Sequence, residues 1–519
     1  MIHKKTTRVA NARITTYAKE DLSVCQVDVE VCILPGIPSF HIVGLPEKAV
    51  KESRERVKAA IINSGFTFPV KRVLVNLSPA DLPKSGGYFD LPIALAILIA
   101  SGNIKHYPHT QTAIWVGELS LLGRITGKNL LPFVITAHQS RQSIVIPSEL
   151  TLPVSLNEVV RYRVSQLSDA VELFQKEPKP PCQFILSDIN NSRDEVPDFS
   201  MVTDRDWEKW VCVIAAAGGH HLLMQGPPGV GKTLIAQCFT GILPTLEREK
   251  ILEVAMIYSW HGSIRLSDRV PIRTPHHHIT PGALLGGGVP FAPGEVSLSH
   301  HGVLFLDEIT EYPRGLLDQL REALVHGEVH LSRVHKKIRV DARFQLLAAM
   351  NPCPCGYYGD NQRCICGHLD IKKHQKNISG PFLDRIDISM IFSKDNVLQQ
   401  KNKKKIISEL KDPSGKTIDI HSSVSMQSAV HHFRMLQKSR QNALNTDLPW
   451  ELCQQHAYAA RQADKAFELA ERQLGLHGRS WQKTMRVART ISDVSQSEVI
   501  KVDHLQLAAE LGSHRLTHR

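Results

Sequence analysis

The sequence lacks any long apolar run. The longest, Leu91 to Ala100, is about half of what a membrane span needs, so a transmembrane class is excluded at this level. The N-terminal stretch MIHKKTTRVANARI is basic, but no apolar core or cleavage site follows it, and no secretory signal is expected. Collagen-like and repeat signals are absent. Cysteines number only 10, and Cys25, Cys32, Cys182, Cys212, Cys238 and Cys453 stand singly, as reduced core thiols of a cytoplasmic protein do; this excludes a disulfide framework. What is present is ordinary globular material. With 42% hydrophobic and 22% charged residues, a chain of 519 residues is expected to form about three or four domains. The formal net charge of +11 favours an anionic partner such as nucleic acid, although a merely basic protein meets it as well.

The stretch that organises the chain is HLLMQGPPGVGKTLIA, residues 221–236. A short apolar strand delivers the backbone to Gly226, Pro227, Pro228, Gly229, Val230, Gly231, Lys232 and Thr233, the phosphate-binding loop pattern. Its glycines let successive N–H groups face an anion, and the helix that starts near Lys232 aims its positive end at the same place. Lys232 supplies a point charge for the β/γ oxygens of a nucleotide, and the Thr233 hydroxyl suits Mg²⁺.

Downstream, VLFLDE (residues 303–308) has four apolar residues and then two acids. Such a strand is buried on both faces, as in a parallel sheet covered by helices. Its end carries Asp307 toward Mg²⁺ and Glu308 toward an attacking water. RFQLLAAMNP is a further buried strand, ending at Asn351. Phosphate loop, acid pair and terminal polar residue on three neighbouring strands define a P-loop ATPase of AAA+ type, with its ligand at the strand ends. Resemblance to AAA+ proteins makes Arg385, in GPFLDRID, the finger that reaches a neighbouring subunit's γ-phosphate. It makes Arg479, at the start of a C-terminal helix, the second sensor of the lid. Surface ion pairing is the alternative for both.

Around this block the chain divides into an α/β domain at 1–178, a polar linker at 179–197, the ATPase domain at 198–392 and a helical lid at 393–519. In the first domain VCQVDVEVCILPG and KRVLVNLSPADLP read as strands, while Val50, Val57 and Ile61 mark a helix. PKSGGYFDLPIALAILIASG resembles the proteolytic domain of Lon-type proteases, but neither Ser85 nor Lys128 stands where that family has its Ser–Lys pair. A Lon-like shell without peptidase activity is expected. Cys353, Cys355, Cys364 and Cys366, as two CxC pairs, form a candidate structural Zn²⁺ site, with free thiols as the alternative. His276 to His278 are expected to be solvated or to face a channel. The ribbon 328–341 carries Arg333, Lys336, Lys337 and Arg339, which suit DNA phosphates in a sequence-independent mode. No aromatic residue accompanies them, so a solvated charged hairpin is the alternative.

These residues resemble the ComM/YifB family, magnesium-chelatase-like AAA+ ATPases. The resemblance rests on IAAAGGHHLLMQGPPGVGKT, PHHHITPGALLGGGVPFAPGEVSLSHHGVLFLDE, RFQLLAAMNPCPCGYYGD, SGPFLDRID and GRSWQKTMRVARTISD, and covers nearly the whole chain. It implies ATP and Mg²⁺ as cofactors, a homo-hexameric ring, no membrane, and an ATP-driven DNA motor. It further implies helicase and branch-migration activity on single-stranded or branched DNA during natural transformation. Departures are the missing Gly-Gln turn in DFSMVTDRDWEKWV, the missing Ser near Gly86-Gly87 and the ending AELGSHRL. The rival readings are a magnesium-chelatase ATPase subunit and a nucleotide-dependent protein remodeller.

Overall fold

In the computed structural model of the chain, the described residues are 10–20, 22–104, 112–150, 160–175, 196–263, 265–288, 291–332, 337–358, 362–392, 406–407 and 417–513. The linker expected at 179–197 falls outside them as far as residue 195, as does most of 393–416 and Cys182. They form two compact units. One comprises the residues before 192 together with Leu252–Leu266; the other comprises the remainder.

Strict alternation builds the first unit. In Ser23–Leu34 the side chains of Val27, Val29, Val31 and Ile33 are buried, whereas Glu30 is exposed. This strand pairs antiparallel with Ala10–Glu20 on one side and with Arg72–Ser78 on the other. Ser39–Val43 completes a four-stranded sheet, parallel to Arg72–Ser78. Val50, Val57 and Ile61 turn one face of the helix Lys48–Asn63 into this core. The helix Asp90–Ala100 is apolar nearly all round and almost wholly buried. Its one acid, Asp90, receives Arg56 Nε at 2.8 Å, the ion pair that permits a carboxylate at this depth. Two results depart from the sequence reading. The strand Ala10–Glu20 was not read as one, and its start lies in the stretch read only as basic. Within the stretch read as ATPase domain, Leu252 and Ala255 lie in the first unit's core, with Met256 and Leu266 packed against it.

The second unit is built on five parallel strands. Their order is Ile272–Arg273, Val303–Leu306, Gln345–Met350, Leu222–Gln225 and Ile388–Ile391. Every residue of Leu222–Gln225, Val303–Leu306 and Gln345–Met350 is buried, as all-apolar strands between two helical layers require. Because the strands run parallel, three chain ends emerge along one edge: Gln225 into the phosphate loop, Leu306 into Asp307, and Met350 into Asn351. The expected three neighbouring strands are adjacent, with the Asn351 strand in the middle. Five helices between Ser423 and Gly512 follow the sheet. No described helix is long and apolar enough to cross a membrane.

Beside its apolar core, the helical region carries a buried acid that several of its elements share. Asp493 receives Arg440 Nη1 at 2.6 Å, Arg489 Nη2 at 2.6 Å and Asn445 Nδ2 at 2.8 Å. Burial alone would raise its carboxyl pKa, but the two guanidinium groups and Asn445 outweigh that and hold it below the usual carboxylate value. The stabilisation is therefore complete at neutral pH and is lost as pH falls below about 4. Asp493→Ala leaves two cations without their shared partner. It is expected to cost about 3–5 kcal/mol, read as a lower urea midpoint at pH 7, with a smaller difference from wild type in acid.

Candidate nucleotide-binding site

The phosphate loop is shaped by where its glycines lie. A Cβ on Gly226 would stand 2.6 Å from Phe392 Cβ, so only glycine lets the loop leave the sheet beside that ring. Gly229 and Gly231 take φ of 77° and 92°, which turns the intervening N–H groups toward one side. Gly231 precedes the helix Lys232–Gly241, and no side chain caps that end. Its first N–H groups therefore stay available to an anion.

Lys232 is nearly buried, and its ammonium reaches Gly226 O at 2.7 Å, Pro227 O at 3.0 Å and Asn351 Oδ1 at 3.0 Å. Burial pushes its pKa down, while Asp307 and Glu308 push it back up. Thr233 Oγ1 donates to Asp307 Oδ2 at 2.8 Å, which sets two oxygen ligands side by side, the donor type that Mg²⁺ takes. Asp307 Oδ1 accepts the Glu308 N–H at 3.0 Å. Glu308 adopts φ 50°, ψ 48°, a left-handed backbone that a non-glycine residue holds only where its surroundings impose it. Thus Lys232, Thr233, Asp307, Glu308 and Asn351, drawn from three strands, meet at one edge.

One neighbour was not foreseen. His277, which was expected to be solvated or to line a channel, places Nδ1 at 3.9 Å from Glu308 Oε2. It meets Tyr312 edge-on, and the Tyr312 hydroxyl donates to Pro275 O at 2.5 Å. The histidines follow Ile272–Arg273, the strand beside the acid strand. A hint lay in their position between the two motifs, but their nearness to Glu308 follows from strand order.

The other candidates divide. Arg385 and Arg479 both line a cavity of about 1220 Å³ in the second unit, and none of residues 226–233 lines it. Arg385 Nε is buried without a hydrogen-bond partner among the described residues. Its pKa is pushed down by burial and then by the charges of Arg479 and Arg321. In the ribbon, Glu328–Ser332 pairs antiparallel with Lys337–Asp341. Arg333 and Lys336 lie outside the described residues, as does the side chain of Lys337. Arg339 is ion-paired with Glu328. The four clustered cysteines converge: Cys353 Sγ lies 3.4 Å from Cys355 Sγ and 3.9 Å from Cys364 Sγ, and the Cys355 N–H donates to Cys366 Sγ at 3.4 Å. A hydrogen bond from the Tyr357 backbone holds the Cys355 thiol down at about 6.

With that geometry in view, comparison with known proteins is informative. The family model for "Magnesium chelatase, subunit ChlI" matches residues 198–401; a second ChlI model matches 29–150, and a ChlI C-terminal model matches 420–511. The chain is 37% identical over 507 residues to YifB of Salmonella typhimurium, covering 96% of each chain. To YifB of Escherichia coli it is 38% identical over 506 residues, or 95% of this chain and 96% of the relative. The chain belongs to the ComM/YifB family of magnesium-chelatase-like proteins. Competence protein ComM of Haemophilus influenzae is 36% identical over 488 residues, 92% of this chain and 93% of that one. Membership in this AAA+ family implies an ATPase that uses ATP and Mg²⁺, and the donor set fits both. The open helix end and Lys232 suit phosphate oxygens, and Thr233 and Asp307 suit the ion.

Two substitutions separate binding from turnover at this family site. Lys232→Ala removes the buried ammonium and is expected to abolish binding of a fluorescent ATP analogue. Glu308→Gln is expected to keep the affinity and lose about 10²–10⁴-fold in phosphate release, the loss that follows when a carboxylate able to accept a proton from water is removed. Equal affinity of Lys232→Ala and wild type would contradict this assignment.

Proposed function

We propose that this protein is an ATP-driven motor that acts on DNA, assembles as a homo-hexameric ring in the cytoplasm, and promotes branch migration during recombination in natural transformation. The observation that carries the reading is the arginine cavity. Arg385 is half-buried, and its Nε, a buried atom, has no hydrogen-bond partner among the described residues; the charges of Arg479 and Arg321 bear on it and Asp384 opposes them. Arg385 and Arg479 share a cavity that residues 226–233 do not line and that also carries Glu247, Asp384, Asp387 and Asp447; the two arginines suit half of an anion site. A second copy presenting its nucleotide would supply the other half. In that arrangement Arg385 serves as the finger and Arg479 as the second sensor, both acting on the neighbour's γ-phosphate.

Within each nucleotide site, Lys232 exchanges its contacts with the Gly226 and Pro227 carbonyls for the β/γ oxygens. Thr233 and Asp307 would hold Mg²⁺, which would supply charge neutralisation at the phosphates. Glu308 takes a proton from the attacking water, and Asn351 helps to place that water. DNA as the moved substrate is supported by the net charge of +11, by the basic ribbon around Arg333, Lys336, Lys337 and Arg339, and by a relative named as a competence protein. A structural Zn²⁺ at the four cysteines completes the cofactor set. The chelatase names of the matching family models favour one rival, the ATPase subunit of a magnesium chelatase. A protein of that kind is expected to ignore DNA.

Mixing variants tests the ring. Arg385→Ala and Lys232→Ala are each expected to lose hydrolysis, by about 10³–10⁵-fold where the finger is removed. A mixture regains activity, because some interfaces pair an intact arginine with an intact phosphate loop. No regain in the mixture would mean that Arg385 acts within its own chain. In parallel, wild type is expected to hydrolyse ATP faster with single-stranded DNA and to move a three-strand junction. Hydrolysis without stimulation or junction movement would overturn the DNA reading.

A further inference from the structure

The loop that carries the cysteine cluster is in contact with the phosphate loop. Asn351, whose side chain accepts from Lys232, lies two residues before Cys353. The turn that follows is closed by a hydrogen bond from the Gly356 N–H to Cys353 O at 2.9 Å, and Gly356 takes φ 84°. A Cβ on Gly356 would stand 2.5 Å from Pro228 Cδ, so the turn rests on the phosphate loop itself. The second cysteine pair leads into the helix His368–Lys376. That helix grips the same peptide: His374 Nε2 lies 3.1 Å from Asn351 O, and Gln375 Nε2 donates to Pro352 O at 3.1 Å.

All four thiols are free, and their sulfurs lie within 4.8 Å of one another. Four thiolates bound to one tetrahedral ion at about 2.3 Å stand about 3.8 Å apart. The separations here, 3.4, 3.7 and 3.9 Å, bracket that value. Sulfur ligands in this number select zinc or iron over magnesium or calcium. Cys353 is fully buried, and because thiols are weak hydrogen-bonding partners, four that converge this closely suit a shared metal ion.

We propose that Cys353, Cys355, Cys364 and Cys366 bind one zinc ion and that this ion clamps the Gly356 turn onto Pro228 and fixes Asn351 against Lys232, so that nucleotide affinity depends on metal occupancy. The coupling rests on residues 226–233 being the nucleotide site; the metal site does not. Without the ion, the two pairs part. The turn then leaves Pro228, and Lys232 loses a positioned partner. Nucleotide binding weakens while the parallel sheet, buried elsewhere, persists.

The test uses the full chain purified under reducing conditions. Elemental analysis is expected to find one zinc per chain, and Cys364→Ser with Cys366→Ser to lose it. Stripping zinc from wild type with a mercurial, followed by excess thiol and a chelator, is expected to weaken binding of a fluorescent ATP analogue about tenfold or more. Adding zinc back restores it, which separates this effect from misfolding. Gly356→Ala, which pushes against Pro228, is expected to keep zinc yet bind the analogue more weakly. Absence of zinc with no uptake of added zinc, an iron centre revealed by its visible absorbance, or a Cys353–Cys355 disulfide would each overturn the metal site. Zinc that can be stripped with no change in nucleotide affinity would overturn the clamp. Zinc-loaded wild type that binds no nucleotide at all would instead sink the assignment of residues 226–233, and with it the coupling.

Discussion

The ammonium group of Lys232 is the point on which the second unit's chemistry depends. It closes the phosphate loop by reaching the carbonyls of Gly226 and Pro227, and it ties that loop to Asn351 on the adjacent strand. One residue further on, Thr233 ties the same loop to Asp307 on the strand beyond. Two side chains thus link the ends of three parallel strands. The Lys232 bonds are charge-assisted and largely buried, hence strong, whereas the Thr233–Asp307 bond is exposed; together they fix the separation of groups suited to one ligand. The sheet supplies the order of the strands, and Lys232 makes that order count chemically.

This arrangement solves only half of a catalytic problem. The groups near the loop can hold phosphate oxygens and an ion and can accept a proton from water. Among the described residues, the hydrogen-bond partners of Lys232 and Thr233 include no arginine. The arginines that could neutralise charge developing on a transferring phosphoryl group sit in a separate cavity, where Arg385 Nε has no hydrogen-bond partner among the described residues. Keeping cations together in a partly desolvated place is unfavourable in an isolated chain, so an anion from outside has much to gain there. Under the proposed ring, the same unfavourable term becomes a reason for subunits to associate when nucleotide is present.

Much of the site was legible without coordinates. Residues 226–233 are contiguous, and backbone geometry near a phosphate follows from glycine placement over a few residues. The acid pair and Asn351 each terminate an unbroken apolar run, and such runs are readable because both faces of a parallel strand are buried. The cysteine pairs announced themselves by composition. Illegible were His277 beside Glu308, the joint placement of Arg385 and Arg479, and the seating of Gly356 on Pro228. Each of these is a contact between segments far apart in the chain, decided by which strand lies next to which. The segment Leu252–Leu266, which begins within the helix Arg248–Trp260, makes the same point. Its apolar residues predict burial, but they carry no mark of which core will take them.

The sequence by itself therefore set the chemical types available at the candidate site: glycines and a lysine suited to an anion, a hydroxyl and a carboxylate suited to a hard cation, a second carboxylate and four soft thiols. These follow from residue type and short-range spacing, which constrain local backbone and donor chemistry directly. Only the tertiary structure decided how those parts face one another, setting the arginines apart from the loop and the cysteine turn against it. The reason is physical. Long-range neighbours are fixed by the register of the sheet and by the packing of helices on it, and these are cooperative properties of the whole buried core rather than of any one stretch.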